Sequence, residues 1–191
     1  MNFNFDADKV FFTSDTHFGH ENIISYCGRP FKNANEMDEK LIANWNALVS
    51  PDDIVFHLGD FAMGGSEEWN KILSRLNGHI YLIYGNHDLK NMRQGYTGRF
   101  EHVSMQMRIE VGKQKIYLNH YPYLTFEGAY KSVWQLFGHV HTRKNNTGCD
   151  AERLRYLLPT QYDAGVDNNR YTPVSFKQVQ SIIEKQIRNS K

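Results

Sequence analysis

Seven side chains in five short pieces of this 191-residue chain could together hold metal. They are Asp15 and His17 in Asp15-Thr16-His17, Asp60 in Gly59-Asp60, and Asn86 in Gly85-Asn86-His87-Asp88. An isolated His120 follows, and Gly138-His139-Val140-His141 closes the series. Carboxylate, amide and imidazole are donors for hard or borderline divalent metals. Seven donors exceed the needs of one tetrahedral ion and suit two ions that share a bridging carboxylate. A two-metal cluster with an open face is suited to in-line attack on phosphorus. Taken singly, each piece has a plainer meaning. Asp15 reads as a turn residue or helix cap, and Gly85-Asn86 as a turn dipeptide. None of these readings accounts for recurrence at one kind of place in the chain.

That place is the end of a strand. Val10-Phe11-Phe12-Thr13-Ser14 runs into Asp15, and Ile54-Val55-Phe56-His57-Leu58 runs into Gly59-Asp60. Ile80 to Tyr84 leads into Gly85-Asn86, Lys115 to Asn119 into His120, and Val133 to Phe137 into Gly138-His139. Short apolar runs bounded by Gly and polar residues read as buried strands. Sites in open α/β sheets form outside strand ends. In an extended Gly138–His141 segment, two residues apart means the same side, so both imidazoles reach one cluster. His57 lies within its strand and is expected to be structural, and His79 and His102 are expected at the surface.

Helical patterns lie between the strands. Asn33 or Asn35 caps a helix carrying Met37, Leu41, Ile42 and Trp45, and Ser66 caps one carrying Trp69, Ile72, Leu73 and Leu76. Ser175 caps a last helix with Val179, Ile182, Ile183 and Ile187 on one face. Residues 105–118 read as antiparallel strands turning at Gly112-Lys113. Asp167-Asn168-Asn169-Arg170 is either a loop reaching the site or a turn before the last strand. Tyr121-Pro122-Tyr123 either borders the substrate or packs, with packing slightly preferred.

Composition narrows the classes. The length suits one domain over 1–191. A formal net charge of +1 gives no broad attraction to nucleic acid, so extended nucleic-acid binding is not expected. No apolar run reaches the length of a membrane span, and residues 1–9 lack a signal-peptide core. Cys27 and Cys149 lie apart and outside the metal pieces, which fits reduced thiols in a cytoplasmic protein.

In this order, the five pieces resemble the calcineurin-like metallophosphoesterase superfamily: Asp-x-His, Gly-Asp, Gly-Asn-His-Asp, a lone His, and Gly-His-x-His. The longer string from Asp15 to Ile23, with His57 to Phe61, is similar to a small bacterial and phage branch of that superfamily. The resemblance implies a four-layer α/β/β/α sandwich of two mixed sheets flanked by helices. It implies Asp15, His17 and His141 on one metal, Asn86, His120 and His139 on the other, and Asp60 bridging them. It also implies attack by a hydroxide held between the ions, with His87 as the catalytic histidine. Manganese is the first expectation, with iron, zinc or magnesium as alternatives.

The chain departs from the protein phosphatases of this fold. After Gly59-Asp60 it reads Phe61-Ala62-Met63-Gly64-Gly65, without the second Asp and the Arg those enzymes carry there. Phosphate contacts must come from elsewhere, with His20 first and Arg29 and Arg143 next. The expected substrate is a small phosphate ester, foremost a phosphodiester of a nucleotide or similar molecule. A phosphomonoesterase is the alternative, and a non-catalytic scaffold that binds a protein partner comes after it.

Overall fold

A computed structural model describes residues 3–96, 98–142 and 154–190. Ten strands form two five-stranded sheets. The first sheet contains β1 (Phe3–Phe5), β6 (Gln106–Val111), β7 (Gln114–Asn119), β8 (Trp134–Phe137) and β9 (Gln161–Asp163), in the order β1-β6-β7-β8-β9. The second contains β2 (Val10–Thr13), β3 (Ile54–His57), β4 (His79–Ile83), β5 (His102–Ser104) and β10 (Val174–Ser175), in the order β10-β2-β3-β4-β5. Both are mixed. β6 and β7 are antiparallel, β7 runs parallel to β8, and β2, β3 and β4 are mutually parallel. The helices are α1 (Glu21–Cys27), α2 (Ala34–Asn46), α3 (Ser66–Leu73), α4 (Leu89–Arg93) and α5 (Phe176–Asn189). The architecture is two mixed sheets flanked by helices.

The strands of the second sheet read as continuous apolar runs because both of their faces are covered. Along β4, Tyr81 and Ile83 point into the layer between the sheets, while Ile80 and Leu82 point toward the helices. β3 alternates in the same way, with Phe56 toward the other sheet and Val55 toward the helices. Ile109, Val111, Ile116, Leu118 and Leu136 complete the inter-sheet layer from the first sheet. On its outer side, Arg108 and Tyr117 both donate to Glu127, at 3.0 and 2.9 Å, which ties the 120–133 connection over that face.

Caps set the helix starts. Asn33 Oδ1 accepts from the Glu36 N–H at 2.9 Å, and Met37, Leu41, Ile42 and Trp45 form the buried face of α2. Ser175 and Gln178 cap each other at the start of α5. Ser66 is not a cap. It is the first helical residue of α3, Gly65 precedes it, and the Glu68 carboxylate accepts from the Gly65 N–H at 2.9 Å. The 105–118 hairpin turns at Gly112, whose φ of 61° suits glycine. Among the described residues no helix is long and apolar enough to cross a membrane. Arg143 and Cys149 lie outside the described residues.

Candidate active site

The C-terminal ends of β2, β3 and β4 in one sheet, and of β7 and β8 in the other, open on the same place. Pairing continues past the strands and locks their loops together. The N–H groups of Asp15, His17 and Phe18 donate to the carbonyls of Gly59, Asp60 and Phe61 at 2.9–3.0 Å. The Gly138 N–H donates to the His120 carbonyl at 3.0 Å. Asp15, His17, Asp60, His139 and His141 all have φ between 45° and 70°. Left-handed backbone at non-glycine residues is costly, and such residues cluster where function constrains the chain.

This backbone brings donor atoms together in four overlapping groups among the described residues, of which His17, Asp60 and His87 make one and Cys27, His141 and Asp167 another. The other two contain six of the predicted ligands. Asp15, His17 and His141 form one, and Asp60, His120 and His139 form the other, with ligand atoms within 4.8 Å of one another in each. Asp60 joins them, because its Oδ2 lies 3.5 Å from His17 Nε2 and 3.5 Å from His120 Nε2. Its Oδ1 is anchored by the His87 N–H at 2.9 Å. Asn86 Oδ1 lies 3.2 Å from His120 Nε2, on the second group's side.

Hydrogen bonds behind the rings decide which nitrogen faces the cluster. His120 Nδ1 donates to the Leu58 carbonyl at 2.8 Å, and His141 Nδ1 donates to Asp167 Oδ2 at 2.7 Å. Each Nε2 is thereby aimed inward. His17 Nδ1 contacts His20 Nδ1 at 3.3 Å, while His17 Nε2 is buried without a hydrogen-bond partner. An orphaned buried nitrogen beside a carboxylate is what a metal site leaves when its ion is disregarded. Three glycines keep the space clear. A Cβ on Gly59 would come within 2.5 Å of His120 Nδ1, one on Gly85 would meet Asp60, and one on Gly138 would meet Asp15.

Electrostatics agree with this donor set. Burial pulls His17 well below the ordinary imidazole range, which keeps it neutral with a lone pair to give. Burial opposes charge on His120 and His141 too, but carboxylates outweigh it. Asp60 and Asp15 lift His120 to about 9, and Asp15 and Asp167 lift His141 to about 11. Burial works against an ionised Asp60 as well, yet the hydrogen bond and charge of His120 hold it below the usual carboxylate range. Anionic oxygens facing buried imidazoles are a site in which divalent ions replace protons. The residues therefore fit a pair of divalent ions.

A family-wide comparison decides the class. The model of the calcineurin-like phosphoesterase family matches residues 8–158. The chain belongs to this family. The phosphoesterase is a hydrolase acting on phosphate esters, and its family implies divalent metal ions. It is 35% identical over 185 residues to an uncharacterized protein of Methanocaldococcus jannaschii, covering 93% of this chain and 92% of that one. A gene 66 protein of Mycobacterium phage L5 is 28% identical over 181 residues, covering 75% of this chain and 87% of its own. A crystal structure of a protein of unknown function from Aquifex aeolicus superposes with a TM-score of 0.71 at 28% identity, covering 91% of this chain and 98% of that one.

The geometry gathers all seven metal-type residues of the phosphoesterase, and His87 and His20 beside them. The His87 ring is exposed, with its centroid 5.0 Å from that of His17 and 5.6 Å from that of His20. Arg29 corrects an expectation. It is buried, donating to both oxygens of Asp167 at 3.0 and 2.8 Å and to the Asp15 and Thr16 carbonyls at 2.7 and 3.0 Å. Its guanidinium is used up in bracing the chain, so it is no phosphate grip. Asp167 does reach the site, through His141. His57 is structural: its Nδ1 accepts from the Gly59 N–H at 3.3 Å, and its Nε2 donates to Thr16 Oγ1 at 2.8 Å. The Thr16 hydroxyl in turn donates a hydrogen bond to the Phe61 carbonyl at 2.8 Å. Asp88 has a role that the sequence reading did not assign. Its buried carboxylate accepts from the N–H groups of Asp60, Phe61 and Gly85 at 2.8–3.0 Å and clamps two site loops together. The one signal available for it is a carboxylate directly after His87.

Proposed function

We propose that the chain is a metal-dependent phosphodiesterase acting on a nucleotide or a similar small phosphodiester. In this reading Asp15, His17 and His141 would hold one ion, Asn86, His120 and His139 would hold the second, and Asp60 would serve both. The observation that carries it is Asp60 Oδ2, equidistant at 3.5 Å from imidazoles belonging to the two groups. A bound pair of divalent ions, manganese first and iron, zinc or magnesium otherwise, would acidify water and neutralise charge growing on the phosphoryl oxygens. The chain's own groups do the rest. Asp88 fixes Asp60 relative to Gly85, and Asp167 fixes His141. In this reading the exposed His87 ring, 5.0 Å from that of His17, would give a proton to the departing oxygen, and His20 beside it would contact the phosphate.

Preference for a diester is supported by the distribution of positive charge. A monoester dianion calls for a cationic grip, and Arg29, a candidate for that grip, is bound inward by Asp167 and two carbonyls. The test is hydrolysis of bis-p-nitrophenyl phosphate beside p-nitrophenyl phosphate, on metal-stripped protein with manganese, zinc or magnesium restored. Metal-dependent cleavage of the diester is expected. Cleavage of the monoester alone would make the protein a phosphatase, and no cleavage with two ions bound would count against catalysis.

A further inference from the structure

A cleft of about 600 Å³ opens beside the candidate metal centre. His139 is both part of its wall and one of the donors grouped with Asp60 and His120. The rest of the wall includes Tyr121, Tyr123, Leu124, Tyr156 and Leu157. The volume is that of a small-ligand pocket, which usually falls at about 300–1,000 Å³. Among its described lining residues none is Lys, Arg, Asp or Glu. A second phosphate or a bare polyol placed here would leave its polar groups poorly paired. A flat apolar ring system would not.

The aromatic wall is held firmly. The Tyr121 N–H donates to Asn119 Oδ1 at 2.8 Å, and the Tyr121 carbonyl accepts from Gln135 at 2.9 Å. Gln135 also takes the Tyr123 N–H at 3.1 Å, and Gln161 donates to the Tyr123 carbonyl at 2.8 Å. Both glutamines are buried, so the loop backbone rests on a fixed amide pair. From it the Tyr121 ring stands 4.6 Å from the His139 ring and 4.9 Å from the His120 ring, with its hydroxyl 3.4 Å from Asn86 Oδ1. Tyr121 is nonetheless 45% exposed as a residue, and Leu124 and Tyr156 are 80% and 72% exposed. Apolar surface kept in water next to a polar centre marks a binding face.

We infer that this cleft receives the nucleobase of a nucleotide phosphoester, stacked on Tyr121 and covered by Tyr156, while its phosphate lies at the metal centre. The inference rests on the proposed metal centre and adds the part of the substrate that gives selectivity. Recognition is by ring face and is tolerant of base identity.

The test is equilibrium binding to manganese-loaded protein of AMP, ribose 5-phosphate, inorganic phosphate and adenosine. AMP should bind about tenfold or more tightly than ribose 5-phosphate, since base–aromatic stacking is worth that much. Tyr121→Leu should remove most of this advantage, whereas Tyr121→Phe should keep it. Tyr156→Ala, at an exposed position, should reduce it without risk to folding. Equal affinity for AMP and ribose 5-phosphate, both requiring manganese, would overturn the nucleobase cleft and leave the metal centre standing. AMP binding that matches adenosine and ignores manganese would overturn the centre, and with it the placement of the phosphate.

Discussion

At the scale of single residues, the site separates groups that meet the substrate from groups that hold those groups in place. His87 is exposed, its backbone N–H donates to Asp60, and its ring lies with His17 and Asp60, each of which already has other donors beside it. His87→Ala should therefore leave metal content unchanged and lower kcat by about 10²- to 10⁴-fold, the usual range for a lost general acid. Metal analysis beside steady-state kinetics checks this, and loss of metal would make His87 a ligand. Arg29 should behave in the opposite way. Its side chain and that of Asp167 are 0% and 2% exposed, so Arg29→Ala strands a buried carboxylate. The expected cost is about 3–5 kcal/mol in chemical denaturation. Because Asp167 also orients His141, metal affinity should fall by about 10- to 100-fold. Arg29→Lys should restore little, since one ammonium cannot replace the two-pronged contact. A variant with normal stability and metal content but a raised KM would return Arg29 to the substrate.

At the scale of elements, the site depends on how closely loops from different strands approach. A Cβ on Gly138 would collide with Ser14 Oγ and Asp15 Oδ2, and so would press the loop after β8 against the loop after β2. Gly138→Ala should cost about 1–3 kcal/mol of stability, as overpacking does, and should weaken metal binding because Asp15 must move. Gly112 lies in the β6–β7 turn, with nothing within 4 Å of where a Cβ would be. Gly112→Ala should destabilise through its positive φ while metal titration and turnover stay at their normal values. Equal effects of the two substitutions on metal affinity would show that crowding at Gly138 is irrelevant. The same elements show what the sequence could reveal. β2, β3 and β4 carry continuous apolar runs because both faces of the second sheet are covered, and these runs, like β7 and β8 of the first sheet, stop at a donor. β5, β9 and β10 have two or three residues, too few for any periodicity to register. Ser66 misled because the carboxylate of Glu68 does the capping there. Arg29 misled because its partner Asp167 lies 138 residues further along the chain. Asp88 looked like the tail of a motif, since carboxylate–backbone clamps leave no pattern in a sequence.

At the scale of the whole molecule, fold and site share buried polar groups, so stability must depend on pH even without metal. His57 is fully buried and neutral between Thr16 and Gly59, and burial lowers its pKa to about 3 despite the pull of Asp60. In the unfolded chain it returns to about 6.5. As pH falls below 6.5 the unfolded chain takes up a proton that the folded protein refuses. The stability His57 contributes is thus complete above about 6.5 and is lost as pH descends toward 3. Asp88 works in the other direction: burial raises it to about 7, so its protonated form favours the fold at lower pH. A bare pH–stability curve would mix these two with the shifted histidines of the site, and a variant isolates His57. In His57→Leu the Thr16 hydroxyl and the Gly59 N–H lose their partner, which should cost about 1–3 kcal/mol at pH 7. Urea denaturation of chelator-treated protein should show the gap between wild type and His57→Leu narrowing by about 2 kcal/mol from pH 7 to pH 5, because only the wild type has that proton to take up. A gap independent of pH would mean that His57 takes up its proton as readily in the folded protein as in the unfolded chain. The Thr16–Phe61 link from the β2 loop to the β3 loop would then be fixed by a different proton arrangement from the one its geometry supports.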